Sequence, residues 1–341
     1  MKLSERPRLE LGAWPTPLVR ARRLEARLGS GPLLVKRDDL SGFAVAGSKV
    51  RPLEFLLGDA IAGGFDALVV GGVATSNFCQ VAAVAARAAG LDCYIVLPGH
   101  PPPPPAANLA MALACGAQVS FSGGPREQLD ERIQERAAEL DRDGRSALAI
   151  PRGGANAVGS LGFVRAAHEL AEQLAVHGHD RARIVLAVGS GASIAGLVVG
   201  SNELGLPWTL TGVSVSRARE TMAAHLRAVV SGCAELLGGT RTAPVVPALV
   251  QAPGGPHRAP GTSTAPERSA AQLALRTEGL VLDADYTARA FPAALQALAE
   301  DGPPVVFWHT GGLATAISNY LAADIDLAAA ATGPRTSEGR P

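Results

Sequence analysis

Lys49 follows a run of small and apolar residues in the stretch GFAVAGSK, which begins at position 42. A lysine ammonium held at a pocket wall loses hydration, so its pKa falls and the amine becomes a nucleophile for carbonyl carbons. The alternative is a lysine that extends to water from the first turn of a helix, and the local sequence favours that reading. The rest of the chain therefore has to decide whether Lys49 is reactive.

A second candidate site is a turn of small residues between an apolar strand and a helix, in LAVGSGASIAGLVVG. Small residues let the backbone approach an anion, and the N–H groups and dipole of the following helix favour negative charge. The turn lacks the lysine of a P-loop and the full GxGxxG spacing. It indicates a phosphate site, with a plain tight connection as the alternative. Its residues are Gly189, Ser190, Gly191, Ala192 and Ser193.

Polar residues also follow two other apolar strands. Thr75, Ser76 and Asn77 stand at a helix start, where they can bind a carboxylate or a ring oxygen or can simply cap the helix. Thr310 follows a buried strand in HTGG. Open α/β sheets bind ligands at the carboxyl ends of their strands, so one pocket shared with Lys49 is expected.

Tyr286 lies in the polar turn of LDADYTARAF, where its hydroxyl can face a ligand. A phenol with a lowered pKa is a reasonable proton carrier, and a half-buried boundary tyrosine is the alternative. The other two tyrosines, Tyr94 and Tyr320, fall in an apolar strand and in a helix near the end of the chain.

The elements that would position these residues alternate between strand-like and helical patterns, which predicts parallel α/β sheets with right-handed crossovers. A Gly/Pro-rich segment, 251–266, interrupts the pattern, and it is predicted to be either a binding loop or a flexible surface loop. The strand-like runs are ALVVGG (67–72), CYIVLP (93–98), AQVSFSG (117–123), RIVLAVG (183–189) and TLTGVSV (209–215).

Composition and charge exclude several classes of protein. The 341 residues are 47% hydrophobic and carry 31 basic against 31 acidic side chains, which argues against nucleic acid as the main partner. No apolar run reaches the roughly 18 residues of a membrane span, and the N-terminus lacks a secretory h-region, so a cytoplasmic enzyme is expected. The four cysteines lack metal-ligand spacing, so no metal is expected and each should be a buried thiol.

Taken together, these motifs resemble the fold type II pyridoxal-phosphate (PLP) enzymes, in the branch with 1-aminocyclopropane-1-carboxylate (ACC) deaminase and D-cysteine desulfhydrase. The resemblance extends from WPTPL (14–18) to HTGG (309–312) and includes KRDDLSGFAVAGSKVRPLE, PRGGANAVGSLGF and DADYTARA in the family's order. It implies a tryptophan synthase β-like α/β fold of mostly parallel, twisted sheets flanked by helices. The implied division is a large PLP-binding domain (1–50 and 155–325), a small domain (51–154) and a disordered tail (326–341).

The resemblance also implies roles for the cofactor-binding residues. Lys49 is the Schiff-base lysine and later carries protons, and the amides and hydroxyls of residues 189–193 bind the phosphate. Asn77 approaches the ring hydroxyl. Thr310 faces the pyridine nitrogen, with Thr287 as a second possibility, and a neutral hydroxyl there favours elimination over transamination.

On the substrate side, the resemblance implies that Ser76 receives the substrate carboxylate or assists proton transfer. Thr75, Asn77 and Phe78 complete this substrate-binding turn, and Tyr286 is a second catalytic residue on the opposite side of the pocket.

Three departures from the family pattern bear on the substrate. The pair Arg51-Pro52 stands where the family has a further basic residue that helps hold the phosphate. Phe78 replaces a polar group beside the expected carboxylate site, and the segment 255–266 has no tyrosine where the family has one. These departures weaken the case for ACC as the substrate and leave the cofactor assignment intact.

The predicted function is a PLP-dependent lyase or deaminase that acts on a small amino acid by β-elimination or ring opening, giving a 2-oxo acid and ammonia. A D-cysteine-like substrate is better supported than ACC, and the resemblance implies a homodimer. The alternatives are a specialised biosynthetic PLP enzyme, for example one catalysing β-replacement, a non-catalytic PLP-binding homologue, and, as the weakest, a nucleotide-binding α/β protein.

Overall fold

Two separate β-sheets organise the chain. The computed structural model describes residues 2–101, 106–239, 247–256 and 258–322, so the predicted tail 326–341 lies outside the described residues. Within these ranges the strands are β1 (Leu18–Arg20), β2 (Leu33–Arg37), β3 (Ala67–Gly71), β4 (Asp92–Leu97), β5 (Gln118–Phe121), β6 (Ala147–Ala149), β7 (Ala182–Val188), β8 (Trp208–Ser214), β9 (Ala248–Gln251) and β10 (Val305–His309).

Helices follow most strands and cover the sheets. The described helices are α1 (Arg22–Leu28), α2 (Val50–Ala62), α3 (Asn77–Ala88), α4 (Ala107–Ala114), α5 (Leu129–Arg142), α6 (Ala157–Val176), α7 (Ala192–Leu204), α8 (Arg219–Leu236), α9 (Ala265–Glu278), α10 (Thr287–Leu298) and α11 (Leu313–Ala322). None of these helices is both long and apolar enough to cross a bilayer.

The larger sheet has six strands in the order β1-β2-β10-β7-β8-β9, and the smaller sheet has four in the order β5-β4-β3-β6. All neighbouring strands are parallel except β1 and β2, which pair antiparallel with Leu18 opposite Lys36. Parallel sheets are covered on both faces, so their central strands are continuous apolar runs. The strand β3 fits this rule because all five of its residues are buried.

The predicted α/β architecture is confirmed, and the five predicted strands begin and end within two residues of β3, β4, β5, β7 and β8. The sequence patterns did not identify β1, the antiparallel edge strand, its neighbour β2, or β9. The expectation that every cysteine is buried is wrong for Cys115, which is partly exposed, whereas Cys79, Cys93 and Cys233 are buried; all four are free thiols.

Glycines allow the helices around the larger sheet to pack at very short range. A Cβ added to Gly162 of α6 would lie 2.1 Å from the Arg51 carbonyl oxygen of α2. A Cβ on Gly196 of α7 would lie 2.2 Å from the Ser160 carbonyl oxygen of α6. Because real side chains do not approach so closely, larger residues at these two positions would push apart the helices α2, α6 and α7.

A buried ionic network joins α2 to both β2 and α6. The Arg51 guanidinium donates to both oxygens of Asp38 at 2.8 Å and to Glu169 at 2.9 and 3.0 Å. Lys36 also pairs with Glu169, and the Trp308 indole N–H donates to Asp38 at 2.8 Å. Two cations thus balance two anions, with Arg51 only 2% and Asp38 0% exposed.

Removing the Arg51 guanidinium should strongly destabilise the fold. We expect Arg51→Leu to lower the free energy of unfolding by about 3–5 kcal/mol, because Asp38 and Glu169 would stay buried with one cation for two carboxylates. Urea denaturation measures the loss. The matched control is Arg219→Leu, since Arg219 is 58% exposed and pairs on the surface with Glu220. Equal stability of the two variants would contradict the prediction.

Candidate active site

Lys49 is held against the end of β10 by the two residues before it. It closes a single 3-10 turn, Gly47–Lys49, that leads directly into α2. The Ser48 N–H donates to the Thr310 carbonyl at 2.9 Å, and a Cβ on Gly47 would lie 2.3 Å from the same oxygen. Gly47 also has a φ of +63°, which favours glycine. The small residues before Lys49 therefore permit this close approach.

The Lys49 side chain lines two adjoining cavities and is desolvated. Burial lowers its pKa to about 8, so at neutral pH roughly a tenth of the groups are free amine. No described residue hydrogen-bonds to its Nζ or forms an ion pair with it. The chain has two other lysines: Lys2 is exposed, and Lys36 is buried in the ionic network. The structure therefore favours the hypothesis that Lys49 is a reactive amine at a pocket wall over the hypothesis that it extends into water.

The first cavity, of about 480 Å³, is bounded by the turn between β7 and α7. The N–H groups of the first turn of a helix lack partners within the helix, and α7 directs this end at the cavity. Gly191 has a φ of +108°, and a Cβ on Gly189 would lie 2.8 Å from the Tyr286 ring. The turn residues that line the cavity are Gly189, Ser190, Gly191 and Ser193, whereas the Ala192 side chain is buried in the core.

Tyr286 lines both cavities, and its ring packs over Gly189. Burial raises the pKa of this phenol to about 12, so the expectation of a lowered pKa is wrong. The physical reason is that burial disfavours the phenolate by more than the nearby Arg126 stabilises it. Tyr286 therefore stays protonated at neutral pH and can donate a proton or a hydrogen bond.

Asp283 holds the turn that carries Tyr286, and sequence reasoning did not single it out. Its buried carboxylate accepts from the backbone N–H groups of Tyr286 and Thr287 and from the Thr287 hydroxyl, at 2.7–3.1 Å. Burial raises the pKa of Asp283 to about 6. An aspartate shortly before a helix start is a common capping signal, and this signal was available in DADYT.

The two candidate hydroxyls for the pyridine nitrogen differ in position. Thr310 lines the first cavity beside Gly311 and Gly312. Thr287 is fully buried and its hydroxyl binds Asp283, so it does not line either cavity. This geometry favours Thr310 over Thr287.

Asn77 is oriented by two buried residues that the sequence patterns did not reveal. Its Oδ1 accepts from Asn108 Nδ2 at 2.9 Å and from the Thr315 hydroxyl at 3.2 Å. Both partners are only 2% exposed and lie on α4 and α11. Because the oxygen of Asn77 is engaged, its NH₂ group is the one left for a ligand in the first cavity.

The second cavity, of about 600 Å³, begins at the turn before α3. Ser76 caps α3 by accepting a hydrogen bond from the Cys79 N–H at 3.2 Å, and its side chain also lines the cavity. Ser76 is therefore both a helix cap and a candidate ligand-binding residue. The buried Phe78 ring is part of the wall, whereas Thr75 lines neither cavity. The same cavity is also lined by three arginines, Arg126, Arg152 and Arg217, which sequence reasoning missed.

The described part of the Gly/Pro-rich segment 251–266 is anchored beside the Tyr286 turn. The Gly261 N–H donates to Asp285 at 2.7 Å, and Arg289 donates to the Gly255 carbonyl at 2.6 Å. None of its described residues lines either cavity. These hydrogen bonds therefore favour a packed conformation of the described part of segment 251–266 over a flexible loop.

The chain belongs to the pyridoxal-phosphate dependent enzymes, whose family model matches residues 9–311. The predicted resemblance, the fold type II architecture and the PLP dependence of the family are thereby confirmed.

A Pyrococcus horikoshii protein provisionally named 1-aminocyclopropane-1-carboxylate deaminase is 34% identical to this chain, and the match covers 91% of this chain and 93% of that protein. The Klebsiella pneumoniae D-cysteine desulfhydrase is 33% identical to this chain, and the match covers 91% of this chain and 95% of that protein. The crystal structure of an ACC deaminase homologue superposes with a TM-score of 0.83 at 34% identity, covering 92% of this chain and 94% of that one.

The residues around the first cavity fit PLP. An amine with a lowered pKa suits an aldehyde, and the glycine turn at the N-terminus of α7 suits a phosphate. The Asn77 NH₂ group can donate to the ring oxygen, and the Thr310 hydroxyl can face the ring nitrogen. All four groups line one cavity, whose rigid turns would orient the ring.

The lowered pKa of Lys49 can be measured on the cofactor-free protein. Amine labelling with trinitrobenzenesulfonate, followed by peptide mapping, should reach half its maximal rate at Lys49 near pH 8, because the ammonium form does not react below that pH. A lysine peptide labelled alongside should give a midpoint near 10.4. The same midpoint for Lys49 and the peptide would show that Lys49 is solvated.

The hydrogen bonds that orient Asn77 should matter for cofactor retention. We expect Thr315→Val to raise the Kd for PLP about fivefold, since losing one hydrogen bond to Asn77 costs about 1 kcal/mol. Equilibrium dialysis with detection of bound PLP measures the change. Ser318→Ala on the same helix is the control, because that hydroxyl bonds only to the Ala314 carbonyl. An unchanged Kd for Thr315→Val would contradict the role given to this network.

Proposed function

We propose that the protein is a PLP-dependent lyase or deaminase that converts a small amino acid into a 2-oxo acid and ammonia. The observation that carries the proposal is the position of Lys49, whose side chain lines both cavities. One cavity offers the anion-binding turn 189–193, and the other offers the Ser76 turn and the Tyr286 phenol. A bound cofactor and a bound substrate can therefore meet at the same amine.

The residues of the first cavity would hold the cofactor. Lys49 would bind its aldehyde carbon, and the N–H groups and hydroxyls of residues 189–193 would bind its phosphate. Asn77 would donate to the ring oxygen and Thr310 would face the ring nitrogen. When bound, PLP supplies an electron sink that weakens the bonds to the α-carbon of an amino acid.

The residues of the second cavity would handle the substrate. The Ser76 hydroxyl and the N–H groups at the start of α3 would bind the α-carboxylate, with Asn77 and Phe78 beside them. Lys49 as a free amine would take the proton from the α-carbon, which its pKa of about 8 permits near neutral pH. Tyr286 would donate its proton to the leaving group, since its phenol stays protonated.

D-Cysteine fits this arrangement better than ACC. With D-cysteine and water the products are pyruvate, ammonia and hydrogen sulfide, and one proton donor at the sulfur is enough. Within the described part of the chain, Tyr286 is the one tyrosine that lines either cavity, whereas the resemblance implies two phenols for ring opening. Names of both activities occur among the relatives.

The proposal also includes two domains, a homodimer and a cytoplasmic location. The large domain would comprise residues 1–50 and 155–325 and the small domain residues 51–154, since β3–β6 form one sheet and the remaining strands form the other. A homodimer is supported by exposed apolar side chains on the contacting helices α4 and α11. These side chains are Leu113, Leu313, Ile317 and Tyr320. Free thiols fit a cytoplasmic location.

Turnover of D-cysteine by the holoenzyme tests the proposed function. We expect release of pyruvate and sulfide, no turnover by Lys49→Ala, and a kcat at least about 100-fold lower for Tyr286→Phe, because the latter removes the proton donor alone. Tyr320→Phe is the control, since Tyr320 is 46% exposed and lines neither cavity. A parallel assay with ACC detects 2-oxobutyrate.

Two outcomes would count against the proposal. Keto acid released as fast by Tyr286→Phe as by the wild type would remove the role given to the phenol. Holoenzyme that binds PLP but converts neither D-cysteine, ACC nor any other small amino acid would contradict the proposed lyase or deaminase activity.

A further inference from the structure

Three arginine side chains concentrate positive charge at the second cavity. Arg126 begins the turn before α5, Arg152 follows β6, and Arg217 follows β8. All three line the same cavity as Lys49 and Tyr286. They reach it from three separate loops, two beside the smaller sheet and one beside the larger sheet. Their convergence is therefore a property of the tertiary fold.

Among the described residues, a carboxylate neutralises only one of the three guanidinium groups. Arg152 donates to Asp130 at 2.7 and 2.9 Å and to the Arg126 carbonyl at 3.1 Å. Arg126 and Arg217 have no carboxylate partner among the described residues, and Arg217 makes one long bond, 3.4 Å, to the Ser190 carbonyl. Three cations therefore line this cavity, and one carboxylate, that of Asp130, is paired with them.

Such an arrangement is unfavourable in the absence of a ligand. Burial and the nearby Arg152 both lower the pKa of Arg217, and Asp130 offsets this only in part. Like charges gathered at a partly desolvated wall repel one another, and an anion placed between them removes the repulsion. Arginine also presents a planar fork of donors that matches the oxygens of a carboxylate, sulfonate or phosphate.

We propose that the second cavity selects an amino acid whose side chain ends in a second anionic group, which Arg126 and Arg217 bind directly. This proposal rests on the proposed lyase or deaminase activity and specifies its preferred substrate class, with D-cysteine as a neutral and poorer substrate of the same reaction. Arg152, held by Asp130, would position the Arg126 loop through its bond to the Arg126 carbonyl. The α-carboxylate would remain at the Ser76 turn, so the two anions of the substrate would be bound by different residues of the cavity.

The chemistry of such a substrate is consistent with β-elimination. For a substrate whose anionic group is a phosphate ester on the β-carbon, Lys49 would take the α-proton, the bond from the β-carbon to oxygen would break, and the phosphate would depart with the electron pair. The β-carbon would then take a proton and water would replace the nitrogen at the α-carbon, giving a 2-oxo acid, ammonia and inorganic phosphate. Guanidinium groups next to the departing oxyanion would stabilise the charge that develops on it.

Paired substrates that differ by one anionic group test the proposal. The holoenzyme is titrated with O-phosphoserine against serine, and with aspartate against asparagine, in both configurations. Changes in the visible spectrum report binding, and inorganic phosphate and pyruvate report turnover. We expect the anionic member of at least one pair to bind ten or more times more tightly, and the two pairs separate a phosphate from a carboxylate preference.

The variants Arg126→Gln and Arg217→Gln test whether these two arginines cause the tighter binding of the anionic amino acid. Each should weaken binding of the anionic member about tenfold and leave the neutral member unchanged, because one charged hydrogen-bonding group is lost. Neither arginine has a buried ion-pair partner, so these variants should fold; Arg219→Gln, on the surface, is the control.

Four results would overturn the inference. Equal losses for serine and phosphoserine would assign the arginines to the α-carboxylate, and a weaker PLP affinity with unchanged selectivity would assign them to the cofactor phosphate. Turnover of D-cysteine without preference for anionic side chains would reject the inference and keep the proposed function. No binding of any amino acid by the PLP-loaded protein would reject both.

Discussion

The position of Lys49 depends on the buried contact between Arg51 and two carboxylates. Arg51 stands two residues after Lys49, and its guanidinium joins α2 to Asp38 at the end of β2 and to Glu169 on α6. The guanidinium also stacks on the Trp14 ring, with 3.9 Å between its central carbon and the ring centroid. A fork of five donors fixes direction as well as distance, which a point charge does not. The first turn of α2 is therefore held rigidly, and the lysine before it points into the cavities.

The same network explains which parts of the fold a sequence can predict. The strands β3, β4, β7 and β8 follow from local apolar runs, and their parallel pairing follows from the helices between them. The insertion of β10 between β2 and β7 brings Trp308 beside Asp38, although 270 residues separate them. No local pattern records such a pairing, so the order of the strands was available only through the family resemblance.

Site residues divide in the same way. The turn 189–193 and Thr310 follow apolar strands, and Lys49 follows a run of small residues; such patterns are visible in the sequence. Asn108 and Thr315 are isolated polar residues in apolar helices, where sequence alone does not separate a buried hydrogen-bonding role from an exposed one. Arg126, Arg152 and Arg217 are three among many arginines, and only the tertiary fold brings them to one cavity.

Positive charge is distributed unequally between the two cavities. Pro52 stands where the resemblance implies a basic residue for the cofactor phosphate, so the turn 189–193 offers backbone N–H groups, hydroxyls and the helix dipole, equivalent to roughly half a charge. The second cavity has a surplus of two full charges from three arginines and Asp130. Since Ser190 lines both cavities, the two anion sites share a wall. The guanidinium of Arg217 lies against that shared wall through its bond to the Ser190 carbonyl, so it would weaken the repulsion between an anion at the arginines and a phosphate at the turn.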